Sequence, residues 1–460
     1  MKKVLATILA LVMAIGLCSV SWATESGLPT AENGVIKLTA NATTAALQDD
    51  VTYDLNGYKL TYSGSTHEVA EGKTLTFMDS SVTGNARGGT LELSGVTGTT
   101  AAINPQKGAT LKVSNITVTC SGSAFFPQGD AAKVDVTACD VTAPIYCVGT
   151  NAGSTNNYNV VITLKNSTFV AAVGDGDNCA VMINVPGTLN IDNCTITGDR
   201  QAVLVRAGTA VINNSDIKTT GKFTDAATKY HSDAWRYGNE VPAAALTVGN
   251  YQNGPASAYL AEAKVTVNNT KLTAENGVPA IYTDANDTYK GDLTIGGDST
   301  VVTGEVMKGQ KADENVSVIA VTGGTFSSDV SAYAPEGTPV AIVGNEGYAV
   351  GSPAISAAAN GGKDVTVVKA GPITGVDAGK SILVARNVTG VVKVNGNTVA
   401  AGTSYTVPQS SGYYYYPTTD TKATDTKGSP KTFDAGIALY VGMALTSAAG
   451  VAFVGKKRED

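Results

Sequence analysis

Between about residue 35 and residue 330 the chain repeats one arrangement of positions: apolar-x-apolar-x-(Asn, Gly or small)-x-(Thr, Asp, Ser or Lys)-apolar. Leu189-Asn190-Ile191-Asp192-Asn193-Cys194-Thr195-Ile196 is a clear copy. Further copies start at Leu111, Val134, Ile162, Ala210, Val265 and Ile319, with weaker ones at Tyr53, Leu75 and Leu91 and a shifted one at Leu293. Alternation at period 2 is the signature of a strand with one face buried. The fifth position is the anchor of each copy: Gly57, Asp79, Gly95, Asn115, Ala138, Asn166, Asn193, Asn214, Asn269, Gly297 and Gly323. Asn and Gly suit a turn there, because both tolerate left-handed backbone angles that β-branched residues resist. Stacked Asn side chains could also bond to one another from copy to copy, as in cross-β ladders.

Successive anchors lie 16 to 28 residues apart, with a single gap of 55. That is one coil of a β-solenoid with loops of variable length. A second short strand precedes many copies, as in Ala180-Val181-Met182-Ile183, Ala202-Val203-Leu204-Val205 and Ala244-Ala245-Leu246-Thr247-Val248. The pattern predicts an all-β fold, a parallel solenoid of about eleven coils. At about 4.8 Å per coil it would run roughly 50 Å.

The two ends carry different signals. Lys2 and Lys3 precede an apolar run to Val20 and then Ser21-Trp22-Ala23, the form of a secretory signal peptide over 1–23. Leu17 before Cys18 is too large for a lipoprotein signal. Near the other end, residues 435–454 hold no charge and Lys456-Lys457-Arg458 follow. Twenty apolar residues rise about 30 Å as a helix, enough to cross a bilayer with the basic cluster inside. The expected layout is therefore a signal peptide (1–23), a solenoid (24–330), a cap (331–369), a small β unit (370–407), a spacer (408–433), and a transmembrane helix with a basic tail (434–460).

The solenoid pattern resembles the right-handed parallel β-helix of secreted bacterial proteins. Gly323-Gly324-Thr325-Phe326-Ser327 with Val330-Ser331-Ala332-Tyr333 is similar to the closing stretch of surface proteins from gut Firmicutes. Ser429-Pro430-Lys431-Thr432-Phe433, the apolar stretch and the basic tail together resemble the sortase sorting signal of Gram-positive surface proteins. Pro430, Lys431 and Thr432 match that pattern, whereas Phe433 stands where the family has Gly. The resemblance implies a cell-surface address: attachment to the membrane through the helix, or to peptidoglycan through a sortase. Because Phe433 falls at the bond to be broken, the expectation leans to an uncleaved helix as the anchor.

Composition narrows the chemistry. Charged residues are 15% of the chain, against about 25% in an ordinary soluble domain. The formal charge is −7, or −9 without the two signal lysines, and no basic stripe appears, which argues against nucleic acid. Five cysteines would remain after export, with no CxxC pair, so zinc and thioredoxin-like chemistry are unsupported and buried free thiols are expected. Asp175-Gly176-Asp177-Asn178 is an acidic turn without the other ligands a calcium loop needs, so no metal and no cofactor is expected. Asp199-Arg200 and Arg206 read as a surface ion pair, and neither His67 nor His231 lies in sequence near an acid–base set.

The gap of 55 comes from an insertion over 221–240 holding Tyr230, His231, Trp235, Arg236 and Tyr237. Solenoids place functional insertions on one face. Rings suit stacking on sugars, and Tyr with Arg suits protein contacts. Trp235, Tyr230, Tyr237 and Arg236 are therefore the candidate ligand-binding residues, the alternative being that they pack on the solenoid flank. Two functions stay open: a non-enzymatic adhesin or display module for a glycan or surface protein, and a surface carbohydrate-active enzyme of lyase or pectinase-like type. The lack of a recognisable catalytic cluster favours the first.

Overall fold

A computed structural model describes residues 27–150, 159–171, 178–221, 242–249, 261–286, 288–314 and 316–409. The expected signal peptide, the 435–454 span, the sorting-like motif Ser429–Phe433 and the aromatic insertion all lie outside these residues. Among the described residues no helix is long and apolar enough to cross a membrane.

The chain winds through parallel sheets. Eleven strands, from Val35–Lys37 to Ile319–Val321, stack in chain order as the first sheet. Eleven more, from Ala42–Thr44 to Gly324–Phe326, stack as the second. Shorter strands form the third, from His67–Val69 to Ser123–Phe125 and from Cys179–Ile183 to Val306–Lys308, linked by bridges of Val148 to Phe125 and Val181. Eight of the eleven coils thus have three strands, and a ninth contributes the Val148 bridge, where the sequence pattern suggested two. The octet itself is broken in two by its anchor, and the physical reason is backbone conformation. Asn115, Ala138, Asn166, Asn193, Asn214, Asn269 and Gly297 all have φ between +48° and +83°, which no strand can continue through.

Six consecutive coils turn this corner in two residues: Asn115-Ile116, Ala138-Cys139, Asn166-Ser167, Asn193-Cys194, Asn214-Ser215 and Asn269-Thr270. From Cys139 to Thr270 the second residue of the corner forms a column of Cys, Ser and Thr side chains. Cys139 N–H donates to Ser167 Oγ at 3.0 Å, and Cys194 N–H to Ser215 Oγ at 3.1 Å. Ser215 N–H donates to Thr270 Oγ1 at 3.3 Å. A backbone donor that the bend removes from the sheets is satisfied by the next coil.

Inside, one apolar column runs through Leu111, Val134, Ile162, Leu189, Ala210, Val265, Leu293 and Ile319 in direct register. All are buried, and each large member contributes about 1.5–3 kcal/mol by leaving water. One weak octet differs from its expected place, and one coil that the pattern did not mark compensates for it. Leu91 belongs to the second sheet (Thr90–Leu93) of the coil that starts at Thr74–Met78, because residues 79–89 form a long corner between them. The first coil, starting at Val35–Lys37, takes its place in the count.

Beyond the last coil the second sheet continues. Gly347–Val350 pairs antiparallel with Gly324–Phe326, followed by Val340–Val343, Val365–Lys369, Ser381–Val384 and Ser404–Thr406. A helix, Ser352–Asn360, lies against this extension with Ala354, Ile355 and Ala359 buried. Ala341, Ile355, Val367, Ile382 and Val399 share one core, so the boundary expected at residue 369 separates strands and not cores.

Candidate functional site

Apart from the long corner at residues 79–89, coil-length variation falls mainly on the two corners that flank the third sheet. Chain enters it over Thr219→Ala244 and Ala171→Cys179, and leaves it over Val148→Val160 and Val248→Ala263. The insertion with Trp235, Tyr230, Tyr237 and Arg236 is one of these four long connections; its residues lie outside the described ones. The strands beside them are buried on both faces. Their outward side chains include Phe126, Tyr146, Met182, Leu204 and Tyr282, which form an apolar cluster separate from the inner core. Phe126 and Tyr146 meet edge to face at 5.4 Å.

At one end of this face the row becomes polar. Thr150 Oγ1 donates to Asn184 Oδ1 at 2.7 Å and accepts the Asn184 N–H at 2.8 Å. Extending the strand register places Asn184, Arg206, Gly249, Asp284 and Gly309 in successive coils. Arg206 is 6% exposed and Arg200 8%, so these two arginines are buried and not, as expected, on the surface.

Asp284 is fully buried, and neither carboxylate oxygen has a hydrogen-bond partner. Burial pushes its carboxyl well above the usual range, only partly offset by the amides of Ala285 and Ala312. Ala312 belongs to the short helix Gln310–Glu314, whose preceding residue, Gly309, has no side chain to cap it. A Cβ at Gly309 would stand 2.5 Å from the Tyr282 hydroxyl oxygen and 2.8 Å from Asp284 Oδ1. The Asp284 carboxyl thus lies buried beside that helix start.

His67 has an acidic partner that its sequence neighbourhood did not reveal. Its Nε2 lies 3.0 Å from Asp49 Oδ1, and Asp49 Oδ2 accepts the Ala70 N–H at 2.9 Å. The two are 18 residues apart, brought together by the winding of the coil. His231 and the turn 175–177 lie outside the described residues. Among the described residues no group of three or more metal-ligating side chains is present.

A second feature was missed altogether. Where the helix Ser352–Asn360 stands beside the last coils, a cleft of about 340 Å³ opens on the outer side of the second sheet. Val301, Thr303, Thr325 and Ser327 line it from the coils, and Ala354, Ala357 and Ala358 from the helix. Tyr348 also lines it, with Asp298, Glu346 and Lys363 as its charged groups. Val301 is an apolar side chain on the solvent face, 37% exposed. Pro353 in the first turn and Gly361-Gly362 after the alanines are start and stop signals that could have flagged the helix. Comparison with protein-family models, with curated proteins and with solved structures found no match.

Proposed function

We propose that this chain is a cell-surface binding protein: a right-handed parallel β-helix held outside the cell, acting as a non-enzymatic adhesin or display module for a glycan or a surface protein. The observation that carries this reading is the concentration of long connections on the two corners beside the third sheet, opposite a corner held to two residues through six coils. A scaffold of fixed pitch with one decorated flank is how solenoids present recognition loops. The right hand follows the chirality of parallel crossovers.

The ligand contacts are assigned to Trp235, Tyr230, Tyr237 and Arg236, the aromatic set of the longest connection. The signal peptide and the apolar 435–454 segment support surface display, with the bilayer as the anchor and peptidoglycan linkage at Thr432 as the other outcome. Replacing Trp235 by Ala should weaken binding of a glycan or surface-protein ligand at least tenfold and leave the unfolding temperature unchanged. Unchanged binding, or a large loss of stability, would assign the rings to packing instead. A second reading, a glycan-cleaving enzyme, is supported by the His67–Asp49 pair, since a carboxylate-oriented imidazole is a common acid–base arrangement. Loss of product release in His67→Gln would establish it.

A further inference from the structure

The geometry points to a second recognition site: the cleft between the helix Ser352–Asn360 and the outer face of the second sheet takes a neutral sugar residue. This rests on the glycan-binding reading above but uses a different part of the molecule. The cleft has the scale of a small-ligand pocket, about 340 Å³. Ala354, Ala357 and Ala358 end at Cβ, so the helix flank leaves an open slot over the strands instead of closing onto them.

The lining is divided in a way that suits a pyranose. Val301, the alanines and the Tyr348 ring offer an apolar surface for the C–H face of a sugar, while Thr303 and Thr325 bring hydroxyls that both donate and accept; the Ser327 hydroxyl is already bonded to the Gly304 backbone. A purely hydrocarbon ligand would strand those hydroxyls and the charges beside them. Charge decides between sugar classes. Asp298 and Glu346 are acidic, Lys363 is basic, and Lys363 is already paired with Glu346. The net charge of the cleft is −1, so a uronic acid or sulfated sugar would be repelled and a neutral one would not. The Glu346 and Asp298 carboxylates are acceptors suited to sugar hydroxyls.

Ala357 is exposed and mid-helix, so Ala357→Gln extends a neutral side chain into the cleft while keeping good helix propensity. The test is calorimetric titration of the full mature chain in detergent with neutral tetrasaccharides (cellotetraose, laminaritetraose, maltotetraose) and with tetragalacturonate as the anionic probe. Wild-type protein should bind at least one neutral probe in preference to tetragalacturonate. Ala357→Gln should weaken that binding tenfold or more at an unchanged unfolding temperature, while Trp235→Ala leaves part of the binding intact. Neutral binding that survives Ala357→Gln but disappears in Trp235→Ala overturns the cleft and leaves the glycan reading standing. Preference for tetragalacturonate overturns the assigned ligand class. Binding of none of the four probes overturns the cleft assignment, and the surface-protein branch of the proposed function is then what remains.

Discussion

The side-chain amide of Asn193 donates to the side-chain oxygen of Asn166, one coil earlier, at 2.8 Å. Both residues sit at the same corner with φ near +50°, so each Asn supplies a left-handed turn and a link along the axis. The two contributions can be separated. Asn193→Gly keeps the free backbone and loses the link, which costs about 1 kcal/mol. Asn193→Ala loses the link and also holds a Cβ in the left-handed region, a further ~1 kcal/mol. Urea unfolding should rank wild type above Gly above Ala; equal stabilities for Gly and Ala would show that the corner does not depend on the left-handed conformation.

Arg87 straps several coils together. Its Nε lies 3.2 Å from Asp140 Oδ1, and its Nη2 donates to the carbonyls of Cys139 at 3.3 Å and Asn166 at 2.9 Å. Asn115 Nδ2 holds the same segment by donating to the carbonyls of Gly84 at 2.7 Å and Ala86 at 3.0 Å. A guanidinium spans these acceptors and an ammonium does not. Arg87→Ala should lose about 1–3 kcal/mol and open residues 79–89 to protease, and Arg87→Lys should recover less than half of the loss. Full recovery by Lys would reduce the strap to a simple charge effect.

Asp284 should make the fold sensitive to pH in an unusual direction. Its carboxyl is raised in the folded chain, so between the unfolded-state value near 4 and the folded value only the folded state keeps the proton. Stability from this group is complete below about pH 4 and falls as the pH rises through that window. Asp284→Asn removes the penalty. The variant should melt above wild type at pH 7, with the difference shrinking toward pH 4. A variant less stable than wild type at pH 7 would mean that an ionised Asp284 is held by the Ala285 and Ala312 amides after all.

None of the described thiols is in a disulfide, and most are buried: Cys139, Cys147, Cys179 and Cys194 fully, Cys120 in part. Burial pushes Cys120, Cys139 and Cys194 up to about 11 and Cys147 up to about 12. The thiolate is the reactive form, so native protein at pH 8 should react slowly, Cys120 first. Unreduced denatured protein lacking the signal peptide, and with it Cys18, should titrate five thiols. A crosslinked Cys139–Cys194 peptide would contradict the register, since Ser167 occupies the coil between them.

Much of the solenoid was legible because its signal is local. Period-2 alternation with Asn or Gly at the anchor marks every copy from Leu111 to Leu293 except that at Val134, whose anchor is Ala138. What alternation cannot say is which sheet a strand joins: Leu91 and Leu93 read like first-sheet residues and lie in the second. The short strand before many octets was visible as an apolar run, but the division of the octet itself into two strands follows only from the left-handed anchor that cuts it. The His67–Asp49 pair and the cleft were not legible at all. Each joins residues brought together by winding or by the added hairpin, and no spacing rule links Val301 to Ala357.

The proposal that this chain is displayed at the cell surface and binds a ligand there without cleaving it is tested most directly by one assay. Cells displaying the chain would be incubated with fluorescent polysaccharides and surface-protein ligands, then separated from the medium. Retained label and supernatant products would be measured on the same sample, against cells lacking the chain. The account predicts label retained on displaying cells, reduced by Trp235→Ala, with no oligosaccharide released above background. Released oligosaccharide that disappears in His67→Gln would contradict it and make the chain an enzyme.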